Sequence, residues 1–285
     1  MAISATPYIP RGNVKANLNF AQKPAEGESL FNYVEKAPEG QPQRNTTNES
    51  KEVEMIDVRG HESEYTLDRD AFQVIQSVPA SKETEWTDDE SIKKNYYPEV
   101  EQLLLDHVPG SNRVFLFDHT IRRAAPGSKR SAVKIVHIDQ TAYSTAKRVT
   151  RHMGEDAEKL MQGRYRIINV WRPLNKGPVE SEPLAFASSK SLDQSDVIPV
   201  EHRYPEGYIG QTAAIAYSPE QKWRYLSGMT GDERLLLECF DSEALKEGST
   251  VDGGRAAHTA FDHPLTKPDA EGRESIEVRA LVFGP

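Results

Sequence analysis

The sequence predicts a mainly β fold with flanking helices, organised around a double-stranded β-helix or jelly-roll core. Three observations lead there. Short segments with two-residue alternation of apolar and polar side chains recur from residue 113 to residue 283. Helical periodicity is confined to a few stretches that precede or interrupt them, and turn residues punctuate the intervals. A chain of 285 residues with that arrangement reads as one large β domain carrying helices on one side.

The elements follow in order. Residues 1–50 include Lys36-Ala37-Pro38-Glu39-Gly40 and Asn45-Thr46-Thr47-Asn48, too polar and too rich in turn formers to bury much. They read as an extended N-terminal arm before a domain spanning 51–285. Asp68 to Val78 reads as a short helix capped by Thr66 or Asp68, and Ser91 to His107 as a longer one stopped by Pro109-Gly110. Arg113 to Ile121 and Ala132 to Asp139 read as strands joined by a turn containing Ala125-Pro126-Gly127. Ser144 to Gln162 places Ala146, Val149, Met153, Ala157, Leu160 and Met161 near helical spacing, with Gly163 as the stop. Arg164 to Trp171, Leu184 to Ala187, Tyr208 to Tyr217, Trp223 to Met229, Arg234 to Phe240 and Ile276 to Phe283 supply the remaining strands.

Composition removes several function classes. Lys plus Arg number 35 against 44 acidic residues, a net charge of −9, so a broad surface for nucleic acid or anionic membrane is not expected. A small molecule is the expected partner; oligomeric state is not encoded in any pattern here. No apolar run approaches the roughly 20 residues that cross a bilayer. The N-terminus lacks a basic start followed by an apolar stretch, which together with the sole cysteine, Cys239, points to a reducing, cytoplasmic location. Within Leu235-Leu236-Leu237-Glu238-Cys239-Phe240 that cysteine reads as a buried strand residue rather than a nucleophile.

The chemistry concentrates in Ala132-Val133-Lys134-Ile135-Val136-His137-Ile138-Asp139. On an alternating strand Val133, Ile135, His137 and Asp139 share a face, the last two roughly 7 Å apart at Cα. One imidazole and one carboxylate from a strand, completed by a distant histidine, make a two-His-one-carboxylate facial triad that holds Fe(II) with open positions. His258, after the loop Val251-Asp252-Gly253-Gly254, is the candidate third ligand; His119, His152, His202 and His263 read as structural. Near the C-terminus Arg273, Ser275, Glu277 and Arg279 alternate onto one side of a strand, offering a guanidinium fork and a hydroxyl to one carboxylate.

His137-x-Asp139, His258 and Arg273-x-Ser275 stand in the order found in Fe(II)/2-oxoglutarate-dependent dioxygenases. Together with Phe117-Asp118-His119-Thr120-Ile121-Arg122-Arg123, Val136-His137-Ile138-Asp139-Gln140-Thr141 and Asn169-Val170-Trp171-Arg172-Pro173-Leu174, the chain from about residue 50 onward resembles the fungal hydroxylase/desaturase family that includes gibberellin desaturase and the aspergillic-acid-type enzymes. The resemblance implies Fe(II), 2-oxoglutarate as cosubstrate and O2, with His137, Asp139 and His258 as metal ligands. It implies hydroxylation, desaturation or ring closure of a small specialised metabolite. The segment between His258 and Arg273 is longer than is usual in that superfamily, so Arg273 with Ser275, or Arg279 on the same face, is expected to anchor 2-oxoglutarate.

For the substrate, Arg122, Arg123 and Arg172 are candidate anchors for a carboxylate. Gln140 and Tyr143 follow the His-x-Asp pair closely enough to touch substrate or orient a ligand. Asn169 and Trp171 share one face of their strand and are expected to point inward, with Val170 and Arg172 on the other. Two other readings keep part of this pattern: an iron oxidase that does not use 2-oxoglutarate, and a jelly-roll binding protein without catalysis. No Gly-x-Ser-x-Gly elbow or His-Glu-x-x-His helix supports hydrolysis.

Overall fold

The computed structural model describes residues 8–124 and 131–285. From the N-terminus its elements are β1 (Val14–Ala21), β2 (Leu30–Tyr33), β3 (Asn48–Asp57), α1 (Leu67–Asp70), β4 (Phe72–Ile75), α2 (Asp89–Asn95), α3 (Tyr97–His107), β5 (Arg113–Arg123) and β6 (His137–Ile138). There follow α4 (Ala142–Met153), α5 (Ala157–Gln162), β7 (Tyr165–Pro173), β8 (Leu184–Ala187), β9 (Val197–Arg203), β10 (Ile209–Ile215), β11 (Trp223–Tyr225), β12 (Arg234–Asp241), β13 (His258–Ala260) and β14 (Glu274–Phe283).

Among the described residues the strands form two sheets, a nine-stranded one in the order β1-β3-β11-β8-β13-β6-β10-β9-β2 and a five-stranded one in the order β4-β12-β7-β14-β5. Their pairings are antiparallel except β11 with β3 and β2 with β9. One apolar core joins the sheets: Leu18, Phe20, Met55, Ala185, Ala213 and Trp223 of the larger pack with Ile167, Cys239, Phe240, Leu281 and Phe283 of the smaller. The opposite face of the smaller sheet, Ile168, Val170, Leu236, Ile276, Val278 and Val282, is covered by Ile92, Tyr96, Val100, Leu103 and Leu104 of the α2–α3 region. That is the jelly-roll arrangement expected, two facing sheets with helices against one of them. With both faces covered, β12 is buried throughout and β14 at every position except Glu274, Glu277 and Arg279.

Several elements differ from the sequence reading, each for a local reason. The helix expected over 68–78 ends after one turn, because Ala71 adopts φ 62° while its N–H bonds to the Leu67 carbonyl. Phe72–Ile75 then pair with β12. The helix expected over 91–107 is two helices meeting at Tyr96, since Pro98 has no N–H to continue the ladder and belongs in a first turn. Gly154, at φ 55°, divides the helix expected over 144–162. Residues 14–21 and 30–33, expected within the N-terminal arm, supply β1 and β2 of the larger sheet.

The strand expected over 132–139 shrinks to β6, with His137 and Ile138 alone in ladders to β10 and β13. The residues before it are tethered by separate bonds instead: Val136 N–H to the Asn19 carbonyl, Asn19 Nδ2 to the Lys134 carbonyl at 2.8 Å, and Ala260 N–H to the Val133 carbonyl. The turn expected at Ala125-Pro126-Gly127 lies outside the described residues. No described helix is long and apolar enough to cross a membrane.

Candidate metal centre

β6 lies between β13 and β10, and in its ladder to β13 His137 is the register partner of His258. Register partners on adjacent antiparallel strands project to the same face, so the two imidazoles meet with ring centroids 4.5 Å apart. Asp139 follows directly after β6. Its Oδ1 stands 3.5 Å from His137 Nε2, and one ligand atom from each of His137, Asp139 and His258 lies within 4.8 Å of the others. It is the one such group of three among the described residues.

Both histidines are held in the tautomer that a metal requires. A carbonyl oxygen only accepts, so the contacts from His137 Nδ1 to the Ile135 carbonyl at 2.7 Å and from His258 Nδ1 to the Ala256 carbonyl at 3.0 Å place the proton on Nδ1. That leaves each Nε2 lone pair free. Burial, and then the neighbouring His258, push the His137 pKa down, favouring the neutral ligand form. Burial opposes ionisation of Asp139, yet His137, His258, Arg279 and the hydrogen bond from Asn169 hold its carboxyl well below the usual carboxylate range. Two neutral imidazoles and one carboxylate form a donor set that fits a ferrous ion. His258 is 3% exposed, whereas the His137 and Asp139 side chains keep 23% and 14%, so the group opens toward a cavity from their side.

That cavity lies between the sheets and is lined by all three residues together with Arg122, Trp171, Arg273, Ser275, Glu277 and Arg279. Arg273, at the start of the β14 face, is buried; burial pulls its pKa down to about 10. Its guanidinium lies 5.5 Å over the Trp171 ring, and its Nη1 donates to the Glu182 carbonyl at 2.5 Å. Ser275, also buried, lines the same end. Arg279 is engaged elsewhere: Nε and Nη2 donate to the two oxygens of Asp118 at 2.6 and 3.1 Å, and Nη1 is 3.7 Å from Asp139 Oδ2.

The remaining expected residues separate clearly. Asn169 points inward, as its strand face required, but toward Asp139, to which Nδ2 donates at 2.8 Å. Arg122 lines the cavity and donates to the Ser131 carbonyl at 2.9 Å. Arg123 turns away, donating to Glu274 and to the Trp86 carbonyl. Arg172 sits on the opposite face of β7, its guanidinium over Trp86 and Tyr96. Gln140 is buried, accepting from Ser144 Oγ and Arg148 Nε, and Tyr143 is 46% exposed beneath Lys147. None of these last four lines the cavity around the ligand group.

Sequence reasoning gave Glu277 and Thr120 no role, although both line the cavity. The signal for Glu277 was its place between Ser275 and Arg279 on one strand face; for Thr120 it was alternation with Arg122. Glu277 has no hydrogen bond or ion pair to another described residue. Burial, and then the charge of Asp139, push its pKa up to about 7. Four other histidines hold structural contacts: His119 with Tyr97, His152 stacked on Phe117, His202 with Thr212 and His263 with Tyr225.

A family model described as "Oxidoreductase/YMDC permease-like domain" matches residues 18–283. The hydroxylase/desaturase poxK of Penicillium oxalicum is 40% identical, with 97% of this chain and 93% of that protein covered. The Fe(II)/2-oxoglutarate-dependent dioxygenase nvfI of Aspergillus novofumigatus is 32% identical, with coverage of 90% and 91%. A solved structure of the iron and alpha-ketoglutarate-dependent endoperoxidase NvfI superposes with a TM-score of 0.86 at 30% identity, covering 96% of this chain and 99% of that one.

Proposed function

The chain belongs to the fungal Fe(II)/2-oxoglutarate-dependent hydroxylase/desaturase family, and from that premise we propose which of its residues carry the reaction. The protein is an Fe(II)/2-oxoglutarate-dependent dioxygenase acting on a small molecule of specialised metabolism. His137, Asp139 and His258 hold the iron. The observation that carries this assignment is the cross-strand pairing of two Nδ1-anchored imidazoles beside Asp139.

Arg273 and Ser275 receive the distal carboxylate of 2-oxoglutarate. Arg279, already bonded through Nε and Nη2 to Asp118, is the poorer anchor, whereas the Arg273 guanidinium, among the described residues, donates to one backbone carbonyl, that of Glu182, and faces the cavity with Ser275. Trp171 supports the Arg273 guanidinium as a flat apolar wall, which limits its rotation and excludes water from one side. Arg122 is the one of the three proposed anchors that lines the cavity, so a carboxylate on the substrate is proposed to meet Arg122 rather than Arg123 or Arg172. The N-terminal segment with β1 and β2 is proposed to fold with the oxygenase domain rather than apart from it.

Bound iron with 2-oxoglutarate and O2 supplies the oxidant that takes hydrogen from an unactivated C–H bond, leaving succinate and CO2 as coproducts. The chain's own contribution is geometric. It keeps both imidazoles neutral, presents an ionised Asp139, and holds the cosubstrate end with buried donors. Anaerobic addition of 2-oxoglutarate to the iron-loaded protein should develop a weak visible charge-transfer band, and His258→Ala should lose it. Absence of the band in folded, iron-loaded wild-type protein would overturn the assignment. Product mass then separates loss of two hydrogens from gain of one oxygen atom.

A further inference from the structure

We propose that Asn169 and Arg279 are positioning residues for Asp139: together they occupy its Oδ2, so that the carboxylate reaches the metal through Oδ1 alone. The proposal rests on the reading of His137, Asp139 and His258 as the iron ligands.

The two residues come from the smaller sheet, opposite the strands that carry the ligands. Asn169 in β7 and Arg279 in β14 are register partners, which sets them side by side on the face turned toward the larger sheet. Asn169 is fully buried, and its Nδ2 donates to Asp139 Oδ2 at 2.8 Å. Arg279 Nη1 approaches the same oxygen at 3.7 Å. Arg279 cannot swing freely, because Asp118 fixes its Nε and Nη2 at 2.6 and 3.1 Å. At this point β5 carries one extra residue, Phe117, opposite the Arg279–Ala280 step of β14. Such an irregularity re-aims a side chain.

Asn169 Oδ1 is buried and has no hydrogen-bond partner among the described residues. Turned the other way, the amide would set its oxygen against an ionised carboxylate, so the polarity of Asp139 decides which end faces it. Oδ1 of Asp139 is left on the His137 side, 3.5 Å from Nε2. A carboxylate gripping an octahedral ion through both oxygens takes a position that the cosubstrate or O2 needs. Occupying one oxygen with a neutral donor and a fixed cation prevents that without removing the negative charge. It also means that Asn169, although it faces the cavity side of its strand, works through Asp139 and does not touch substrate.

The test uses the full chain, freed of metal and titrated with Co(II), with affinity read by competition and geometry by the visible absorption of the bound ion. Wild-type protein should bind Co(II), and His258→Ala should not. Asn169→Leu, similar in volume but without a donor, should bind roughly ten- to a hundredfold more weakly and with an altered absorption spectrum, while the melting temperature of the metal-free protein stays close to wild type. A merely structural role for Asn169 would shift that melting temperature and leave the spectrum alone. Wild-type affinity and spectrum in Asn169→Leu overturn the proposal; failure of wild-type protein to bind Co(II) overturns the metal-site reading beneath it. Should Asn169→Leu not fold, Arg279→Gln answers the same question: a weaker, spectrally altered site supports the proposal, and an unchanged one overturns it.

Discussion

The guanidinium of Arg273 lies over the indole of Trp171, 5.5 Å from its ring centroid, and both residues line the cavity. A buried cation presented in this way is poised for an anionic partner, and Ser275 beside it adds a hydroxyl. Arg273→Ala should therefore raise the KM for 2-oxoglutarate roughly ten- to a hundredfold, as loss of charged hydrogen bonds worth about 1.5–3 kcal/mol implies. Succinate formation across a range of 2-oxoglutarate concentrations measures it. An unchanged KM would remove Arg273 as the anchor and point to Arg279 on the same cavity face.

Glu277 faces the same cavity with no hydrogen bond or ion pair among the described residues, its pKa pushed up to about 7 by burial and then by Asp139. Unfolded, the same group ionises near its ordinary value of 4.5. Between those two values the native state holds the proton and the unfolded chain releases it, so native stability falls as pH rises through that window. In metal-free protein, Glu277→Gln should match wild type at pH 4 and exceed its stability at pH 8 by on the order of 1 kcal/mol. Urea titrations at both pH values decide the matter, and a constant difference between variants would count against it.

Glu83 behaves in the opposite sense. Its carboxylate accepts from Ser91 Oγ, the Trp86 and Glu85 N–H groups and Asn95 Nδ2, and the Ser91 bond leads in holding its pKa down to about 2. A lowered acid stabilises the native state above its unfolded value of 4.5 and loses that contribution as pH falls toward 2. Glu83→Gln should lower stability at pH 7 by about 1 kcal/mol, with the gap closing on acidification. A gap that stays open at low pH would show that shape rather than charge is responsible.

Thr141 closes the ligand segment two residues after Asp139. Its hydroxyl accepts from the Ser144 N–H, Ser144 Oγ accepts from the Thr141 N–H, and the Thr141 hydroxyl also donates to Gln211 on β10. Thr141→Ala removes the cap of α4 and that tie to the larger sheet. It should cost about 1 kcal/mol of stability. Thermal melts of metal-free protein give the first measure, and wild-type stability in this variant would remove the cap from any role in fixing the Asp139 end.

Much of this was legible in the sequence because strand alternation reports the face of a side chain directly. His137 with Asp139, Arg273 with Ser275, and Asn169 with Trp171 share the faces that alternation assigned them. What alternation cannot report is the partner. Asn169 shares the inward face with Trp171, yet it meets Asp139 because β7 places it opposite Arg279. Arg123 and Arg172 looked like equivalent anchors for an acid, but one pairs with Glu274 and the other lies over Trp86 and Tyr96 on the helix-covered side. The breaks at Ala71 and Gly154 depend on single positive φ angles, which amphipathic periodicity passes over. β1 and β2 were hidden for another reason: their neighbours in the sheet, β3 and β9, are remote in sequence or weakly patterned.

The proposed ligands His137 and His258 stand on one sheet, with Asp139 directly after β6, while Asn169 and Arg279, which approach Asp139, stand on the other. Loading the centre therefore rivets the two layers, and heat must undo that joint before they part. Since an ion that binds only the folded chain adds about 2.7 kcal/mol at a hundred times its Kd, a melting curve becomes a gauge of occupancy. Chelated and replete samples of one preparation should then melt apart, and the interval between them should widen with free metal.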